Sequence, residues 1–449
     1  MTGKKQMKIG TWVDGDGGHV AAWRHPQAVP GYCGTLPFWQ NLGKVCERGK
    51  FDFLFLADSN RVQYQRNPKV MRQMPATPFF EPLTLLAALA GSTTHLGLAA
   101  TMTTTYNEPY HVARIFASLD HLTGGRGSWN VVTSSSSDEA PNFSAEKHMA
   151  HDDRYARAKE FLQICMGLWD SWEDDAFIRD KESGTYLDYD KMHYLNWRTE
   201  RFQVKGPLNS PRSPQGRPVI FQAGSSNIGR EFGAETADAV FTAQDSFESA
   251  KAFYDDVKGR MAKFGRKPAD MLIFVGVGPI VGRTMEEARA KFDLLQSLMP
   301  ADVAMLVLSE VLGGADLSKL PLHEPVTMLP PSDGIQSRRE LLLQKALEEK
   351  MTLLELARFT AGGRGHRQII GTPEMIADDF QYWLESGATD GFLLAPACLP
   401  GSLDDFVDLV VPELQRRGIF RQEYEGNTLR EIMGLPRPAH RAVAAIPMR

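Results

Sequence analysis

Cysteine is scarce in this chain. There are four in 449 residues, Cys33, Cys46, Cys165 and Cys398, and no two form a CxxC pair. That scatter argues against a disulfide framework and against structural zinc. Cys46 and Cys165 sit in apolar helical patterns and read as core thiols; Cys33 and Cys398 read as loop residues. Long apolar runs are also missing, and none approaches the ~20 residues that span a bilayer. The start, MTGKKQMKIGTWV, is basic but lacks the apolar stretch and cleavage site of a secretory signal. Nor is there an excess of positive charge: 50 Lys and Arg face 55 Asp and Glu, a net charge of −5. Nothing here attracts nucleic acid or an anionic membrane, so neither is expected as a partner, and the chain reads as cytoplasmic. No P-loop, GxSxG, HExxH or paired-carboxylate signature occurs, which argues against nucleotidase, hydrolase and zinc-protease chemistry. No metal site is read.

The remaining composition is that of a folded enzyme, with 43% hydrophobic and 23% charged residues, which excludes wholesale disorder. At about 150 residues per domain the length suggests three domains. A single α/β barrel of about 250 residues with large insertions accounts for it equally well.

A repeated joint decides between them. FWQNLGKVCERG–KFDFLFLAD, HVARIFASLDHLTGG–RGSWNVVTS and PEMIADDFQYWLESG–ATDGFLLAP each run helix, glycine, apolar strand. A glycine with positive φ is expected to end each helix. FDFLFLA, PVIFQAG and GFLLAP are almost wholly apolar, as strands buried on both faces must be. Strands are expected at 7–13, 51–57, 95–101, 127–133, 218–223, 239–242, 272–278 and 391–396. Helices are expected at 37–48, 82–93, 109–122, 152–172, 228–236, 246–264, 284–298 and 402–417. This alternation predicts an α/β fold, a (β/α)8 TIM barrel in one domain, with an open doubly wound sheet as the alternative. Insertions fall at 59–81, 134–151, 173–217 and 300–365, the last ending in the glycine-rich, mobile-looking AGGRGHR; 418–449 form a tail.

Barrel enzymes carry their sites at the C-terminal ends of the strands. That rule selects Asp58, Thr101, Thr103 to Thr105, Asn130, Thr133, Ser134, Gly224, Ser225 and Ser226. The set is rich in hydroxyls and, Asp58 apart, uncharged, which suits a flat, neutral, hydrogen-bonding ring system. Asp58 reads equally as a loop carboxylate or as a group beside a ligand. QAGSSNIGREFG, a strand, a Gly/Ser turn and a helix start, reads as an anion site to which Arg230 adds charge, or as an ordinary helix cap. In HDDRY, His151 and Tyr155 stand i, i+4 on one helix face, as donors to a ligand or as surface residues. His19, after the first strand, is a candidate acid or base at the barrel mouth, or a loop histidine.

AWRHP, ERGKFDFLFLAD, YHVARIFASLDHLTGGR, SWNVVTS, NF, HDDRY, SPQGRPVIFQAGSS, DGFLLAP, VVPELQRRG and NTLRE occur together and in this order. The chain thereby resembles the flavin-dependent monooxygenases of the bacterial-luciferase superfamily. Its branch is that of nitrilotriacetate monooxygenase component A, dibenzothiophene sulfone monooxygenase and long-chain alkane monooxygenase. The likeness runs from residue 7 to about 435. It implies a TIM barrel with FMN at its C-terminal face. FMNH2 would come from a separate NAD(P)H:flavin reductase, and O2 would add to it as a C4a-(hydro)peroxide that oxygenates a small organic substrate, with C–S or C–N cleavage as one outcome. The likeness puts Asp58 and Thr101 beside the isoalloxazine, and His151, Tyr155 and Ser226, with Ser225 adjacent, at the ribityl and phosphate end. His19 is taken as a substrate-side catalytic group, 300–365 as a lid, and GDGGHVAAW and SSSSDEA as walls of the substrate pocket. A homodimer or homotetramer is implied, with the tail laid across a neighbouring subunit. The competing readings are a deazaflavin-dependent oxidoreductase and a non-catalytic flavin-binding protein.

Overall fold

A computed structural model describes residues 5–63, 65, 67–75, 79–330, 336–363 and 366–441. Eight strands form its centre: β1 (Lys8–Trp12), β2 (Phe53–Leu56), β3 (Gly97–Thr103), β4 (Gly127–Val132), β5 (Val219–Gln222), β6 (Ala239–Thr242), β7 (Leu272–Val281) and β8 (Gly391–Leu394). All pair in parallel with their neighbours, and β8 returns to β1 with Lys8 opposite Gly391, closing the barrel. The expectation of a closed barrel is met; the open sheet is excluded. Another strand, Arg367–Gly371, pairs with β7 outside the closed ring.

The barrel is filled by rings. Phe53 packs on Phe221 at 4.7 Å and on Phe274 at 5.1 Å between ring centroids. Burying one such side chain is worth about 1.5–3 kcal/mol. Gly10 makes room, because a β-carbon there would lie 2.4 Å from the Phe53 ring.

Around the barrel run α1 (Leu36–Arg48), α2 (Pro82–Ala90), α3 (Pro109–Leu122), α4 (His151–Trp169), α5 (Asn227–Thr236), α6 (Phe247–Arg260), α7 (Met285–Ser297), α8 (Ala301–Val311), α9 (Gln336–Glu348), α10 (Leu353–Gly363) and α11 (Pro373–Glu385), with a last helical segment at 401–416. Proline opens α2, α3 and α11, where its missing N–H costs nothing. The joints differ in one detail. Gly124 and Gly387 have φ of 65° and 69°, but Gly49 is at −78° and Lys50 takes the left-handed turn at 57°.

The 300–365 insertion is largely helical up to residue 363: α8 and α10 pack together over a second core that includes Val303, Val307, Leu308, Leu356 and Ala361. Val20, Val70 and Met74, from the loops after β1 and β2, join that core. Of AGGRGHR, 361–363 end α10, 367 begins the outer strand, and 364 and 365 lie outside the described residues. The tail, up to 441, folds onto its own barrel. Leu429, Met433 and Leu435 join the cluster inside the barrel, and Arg430 pairs with Asp238 at 2.7 Å. Residues 442–449 lie outside the described residues. Cys33 and Cys398 are buried, like the other two cysteines, and burial pushes both thiols up to about 12.

Candidate active site

A cavity of about 250 Å³ opens at the C-terminal ends of β2 to β5. Its wall runs from Asp58 to Asn60, across Thr101 and Thr103, past Ser134 and Glu139, to Tyr155 and Gly224. Of the strand-end residues, Asp58, Thr101, Thr103, Thr133, Ser134 and Gly224 line this one surface, and Tyr155 of HDDRY joins them.

Burial pushes the Asp58 carboxyl up to about 6; the Ser59 N–H works against this, and Glu81 and Glu139 add to it. Thr101 Oγ1 accepts from Asn130 Nδ2 at 2.9 Å. Asn130 Oδ1 is buried with no partner, an acceptor that an N–H of a bound molecule would satisfy. Ser134 holds a left-handed φ of 52° at the wall. Its hydroxyl lies 2.9 Å from Thr103 Oγ1 and 2.8 Å from Glu139 Oε2. A non-glycine residue in that conformation persists only where its surroundings hold it.

What holds it was not read from the sequence. Glu139, 3% exposed, accepts from Ser134 and from the Asn60 N–H at 3.3 Å. Arg154, inside HDDRY, donates to the Ser134 carbonyl and meets His148. Arg157, one turn on, donates to the carbonyls of Thr104 and Asn107, each at 2.9 Å. The first turns of α4 thus fix the loops after β3 and β4. Side chains of this type in SSSSDEA and HDDRY were the available signal, but their partners are far away in sequence.

The other end of the site is the start of α5. Gly224 and Gly229 touch across the β5–α5 turn, where a β-carbon on either would lie 2.8 Å from the other's Cα and 2.9 Å from the Tyr155 hydroxyl. Only glycine allows that approach, and it brings the Tyr155 hydroxyl to the N-terminus of α5. Ser226 caps the helix by accepting from Gly229 N–H at 3.1 Å, and its O–H can still donate. Ser225 is exposed beside it. His151 opens α4 with its ring 5.0 Å from that of Tyr155 and Nδ1 2.9 Å from Asp152 Oδ1. The first-turn N–H groups of α5 have no intrahelical acceptor, and the dipole there is positive, which suits an anion. Arg230 adds no free charge, because it binds Asp256 at 2.9 Å and the Ser225 carbonyl at 2.9 Å.

His151, Ser225, Ser226 and His19 do not line this cavity; the first three stand about the start of α5, and His19 does not. His19 is 1% exposed and packs near Gly362 of α10. Its Nδ1 accepts from Ala21 N–H at 3.1 Å. The loop after β1 folds back under the helical insertion, so adjacency to a strand end did not carry His19 into the mouth. Among the described residues no group of three or more His, Cys, Asp or Glu is placed to hold a metal ion. Nor is any single helix among them long and apolar enough to cross a membrane.

Fold and site together define a barrel enzyme whose hydroxyl-rich cavity reaches Gly224, next to an anion-suited helix start. The luciferase-like monooxygenase family matches residues 16–390, and the chain belongs to it. It is 50% identical over 440 residues to N-acetyl-S-(2-succino)cysteine monooxygenase of Bacillus subtilis (strain 168), covering 98% of each chain. It is 48% identical over 445 residues to nitrilotriacetate monooxygenase component A of Aminobacter aminovorans, again covering 98% of each. Among solved structures, a riboflavin lyase with modified FMN and riboflavin superposes with a TM-score of 0.83 at 32% identity, over 96% of both chains. The chain is accordingly an enzyme of the monooxygenase class.

Proposed function

We propose that this chain is the oxygenase of a two-component system that uses FMNH2 and O2 to oxygenate a small organic molecule. The observation that carries this is the continuity of the cavity from Asp58 and Thr101 to Tyr155 and Gly224. A flat ring suits the hydroxyl-lined end at Thr101 and Thr103, and a phosphate suits the start of α5. The donor set matches FMN. Thr101, held by Asn130, offers a hydroxyl on the wall, the Gly224–Gly229 contact leaves no β-carbon in the way, and His151, Tyr155, Ser225 and Ser226 stand about the helix start. The monooxygenase relatives and the flavin-bearing structural neighbour support the same cofactor.

When bound as FMNH2, the flavin supplies the two electrons that let one atom of O2 enter the substrate and the other leave as water. The protein positions and shields. Thr101, positioned by Asn130, would hold the ring edge; Tyr155 and Ser226 would donate to the phosphate; Asp58, with its carboxyl near 6, could hold or release a proton at its carboxylate oxygens. The helical insertion over the loops after β1 and β2 keeps water from the strand ends. His19 is at most a buried support of that cover. A separate NAD(P)H:flavin reductase delivers FMNH2, and the oxygenase assembles as a homodimer or homotetramer.

The test is titration of the purified protein with FMN and with photoreduced FMN, followed by O2 uptake with candidate sulfides and amines. Saturable flavin binding and substrate-dependent product are expected. Failure to bind flavin in either redox state removes the proposal. Product formed from a deazaflavin without O2 would replace it with hydride transfer.

A further inference from the structure

A second cavity, of about 310 Å³, lies beside the first. The two share the exit of β2: Leu56 and Ala57 line the second, and Asp58 to Asn60 line the first. Its floor also takes Val13 from the end of β1, and its back wall takes Trp39 of α1 and Leu85 of α2. The roof comes from the loops after β1 and β2, with Trp23 from the first and Met74, Phe79 and Phe80 from the second.

Its chemistry is mainly that of aromatic faces. Trp39 donates its indole N–H to the Cys33 carbonyl at 2.8 Å, and Trp23 donates to the Gln73 carbonyl at 3.2 Å. Both polar edges are thereby used, so what the two indoles offer the chamber is apolar ring surface, most of it from Trp23 because Trp39 also packs on Phe38. At the rim, Trp23 is 38% and Phe79 63% exposed, apolar surface that a guest would cover. Among the described residues, the charged ones in the lining are Asp14, Asp16 and Arg72. Two carboxylates against one guanidinium leave the chamber net negative, so an anionic guest is disfavoured. The roof is also anchored, since Gln73 binds Asp302 of α8 at 3.0 Å and Met74 belongs to the insertion core.

We propose that this chamber receives the non-reacting part of the substrate, and that this part is uncharged and apolar, by preference aromatic. A guest anchored between Trp23, Trp39 and Phe80 reaches past Ala57 toward Asp58, placing its reacting atom in the first cavity. The proposal rests on the reading of that first cavity as the reaction site.

The test uses methyl 4-bromophenyl sulfide on the full-length protein without flavin. Bromine quenches tryptophan fluorescence, giving a dissociation constant, and its anomalous scattering locates it in a crystal. The bromine is expected between Trp23, Trp39 and Phe80. Trp23→Ala and Phe79→Ala are each expected to weaken binding about tenfold, as loss of an aromatic anchor does. Excess nitrilotriacetate is expected to leave the constant unchanged. Bromine found only elsewhere, or displacement by nitrilotriacetate, overturns the proposal. FMN affinity of the same variants separates the two readings: unchanged affinity shows an intact first cavity, whereas a wild type that binds no flavin sinks the proposed function and leaves the bromine position to decide this one. Should either variant fail to fold, the wild-type bromine position alone decides whether the chamber takes the aromatic group.

Discussion

Tyr155 and Gly229 meet at the start of α5, with the tyrosine hydroxyl 2.9 Å from the point a glycine β-carbon would occupy. Alanine in a helix interior normally gains up to about 1 kcal/mol over glycine. Here Gly229→Ala drives a methyl into the Gly224 backbone and the Tyr155 hydroxyl, an overpacking that costs about 1–3 kcal/mol. The expected result is a lower urea midpoint and FMN binding weakened at least about tenfold, about 1.4 kcal/mol. Adding Tyr155→Phe removes one contact but leaves Gly224 Cα at 2.8 Å, so stability recovers only in part. A stabilised Gly229→Ala protein with unchanged flavin affinity contradicts this account of the contact.

Asp58 makes stability depend on pH in a stated direction. Its carboxyl ionises near 3.8 when free and near 6 in the fold, with burial the main cause. Between those values the folded state holds a proton that the unfolded state has lost, so stability falls as pH rises through the window and stays lower above it. Asp58→Asn lifts the penalty. Allowing for the group's partial exposure, the variant should be more stable than wild type by about 1–2 kcal/mol above pH 7 and equal to it below pH 4. Urea unfolding at several pH values checks this. In the proposed function the same variant loses proton exchange beside the ring, so stability and turnover should move in opposite directions.

Glu139 offers an internal control, because its charge helps to hold Asp58 high. Glu139→Gln keeps the shape and removes the charge. The stability window of Asp58 is then expected to shift to lower pH, read from the same unfolding series. The Gln amide oxygen still accepts from Asn60 N–H, so the loop should stay protected in hydrogen exchange. Glu139→Ala leaves Ser134 at its left-handed φ of 52° without that acceptor and should speed exchange across 134–140. A window that does not move with Glu139→Gln separates the two carboxylates.

The barrel and half of the site could be read from residues because their causes are local. FLFL and GFLL have no polar face, so only a doubly covered strand suits them. Asp58 and Thr101 follow from where such strands end. Glu139 and Arg154 were missed because neither has its role until the loops after β2, β3 and β4 meet; Arg154 acts through a carbonyl at Ser134. His19 shows the limit of the same rule: a position beside β1 does not say where the loop after it turns, and here it turns beneath α10. In 300–365 the glycine-rich end drew attention from the helical spacing of Val303, Val307 and Leu308, which built a core. The tail looked like spare length because its ion partner, Asp238, precedes Arg430 by nearly two hundred residues.

That tail gives the sharpest test of the fold. Burial opposes an ionised Asp238, yet Arg430 and Arg217 outweigh it and hold the carboxyl below its usual range. Arg430→Ala strands a buried carboxylate, which costs about 3–5 kcal/mol. Since the folded value is depressed, the pair's contribution is present above the unfolded carboxylate range and lost on acidification through the folded one. The variant's deficit against wild type should therefore shrink in acid. Replacing both partners, Asp238→Asn with Arg430→Met, should recover only part of the loss, because the stranded carboxylate is gone but the buried Arg217 loses it as a counter-charge. Truncation after Gly418 goes further, removing Leu429, Met433 and Leu435 from the barrel floor and Arg421 from Asp52, which it holds at 2.6 Å. If the tail serves its own barrel, the truncated chain should fail to fold at all. A truncated chain that stays folded, with unchanged urea midpoint but a smaller assembly by light scattering, would instead assign the tail to a subunit contact.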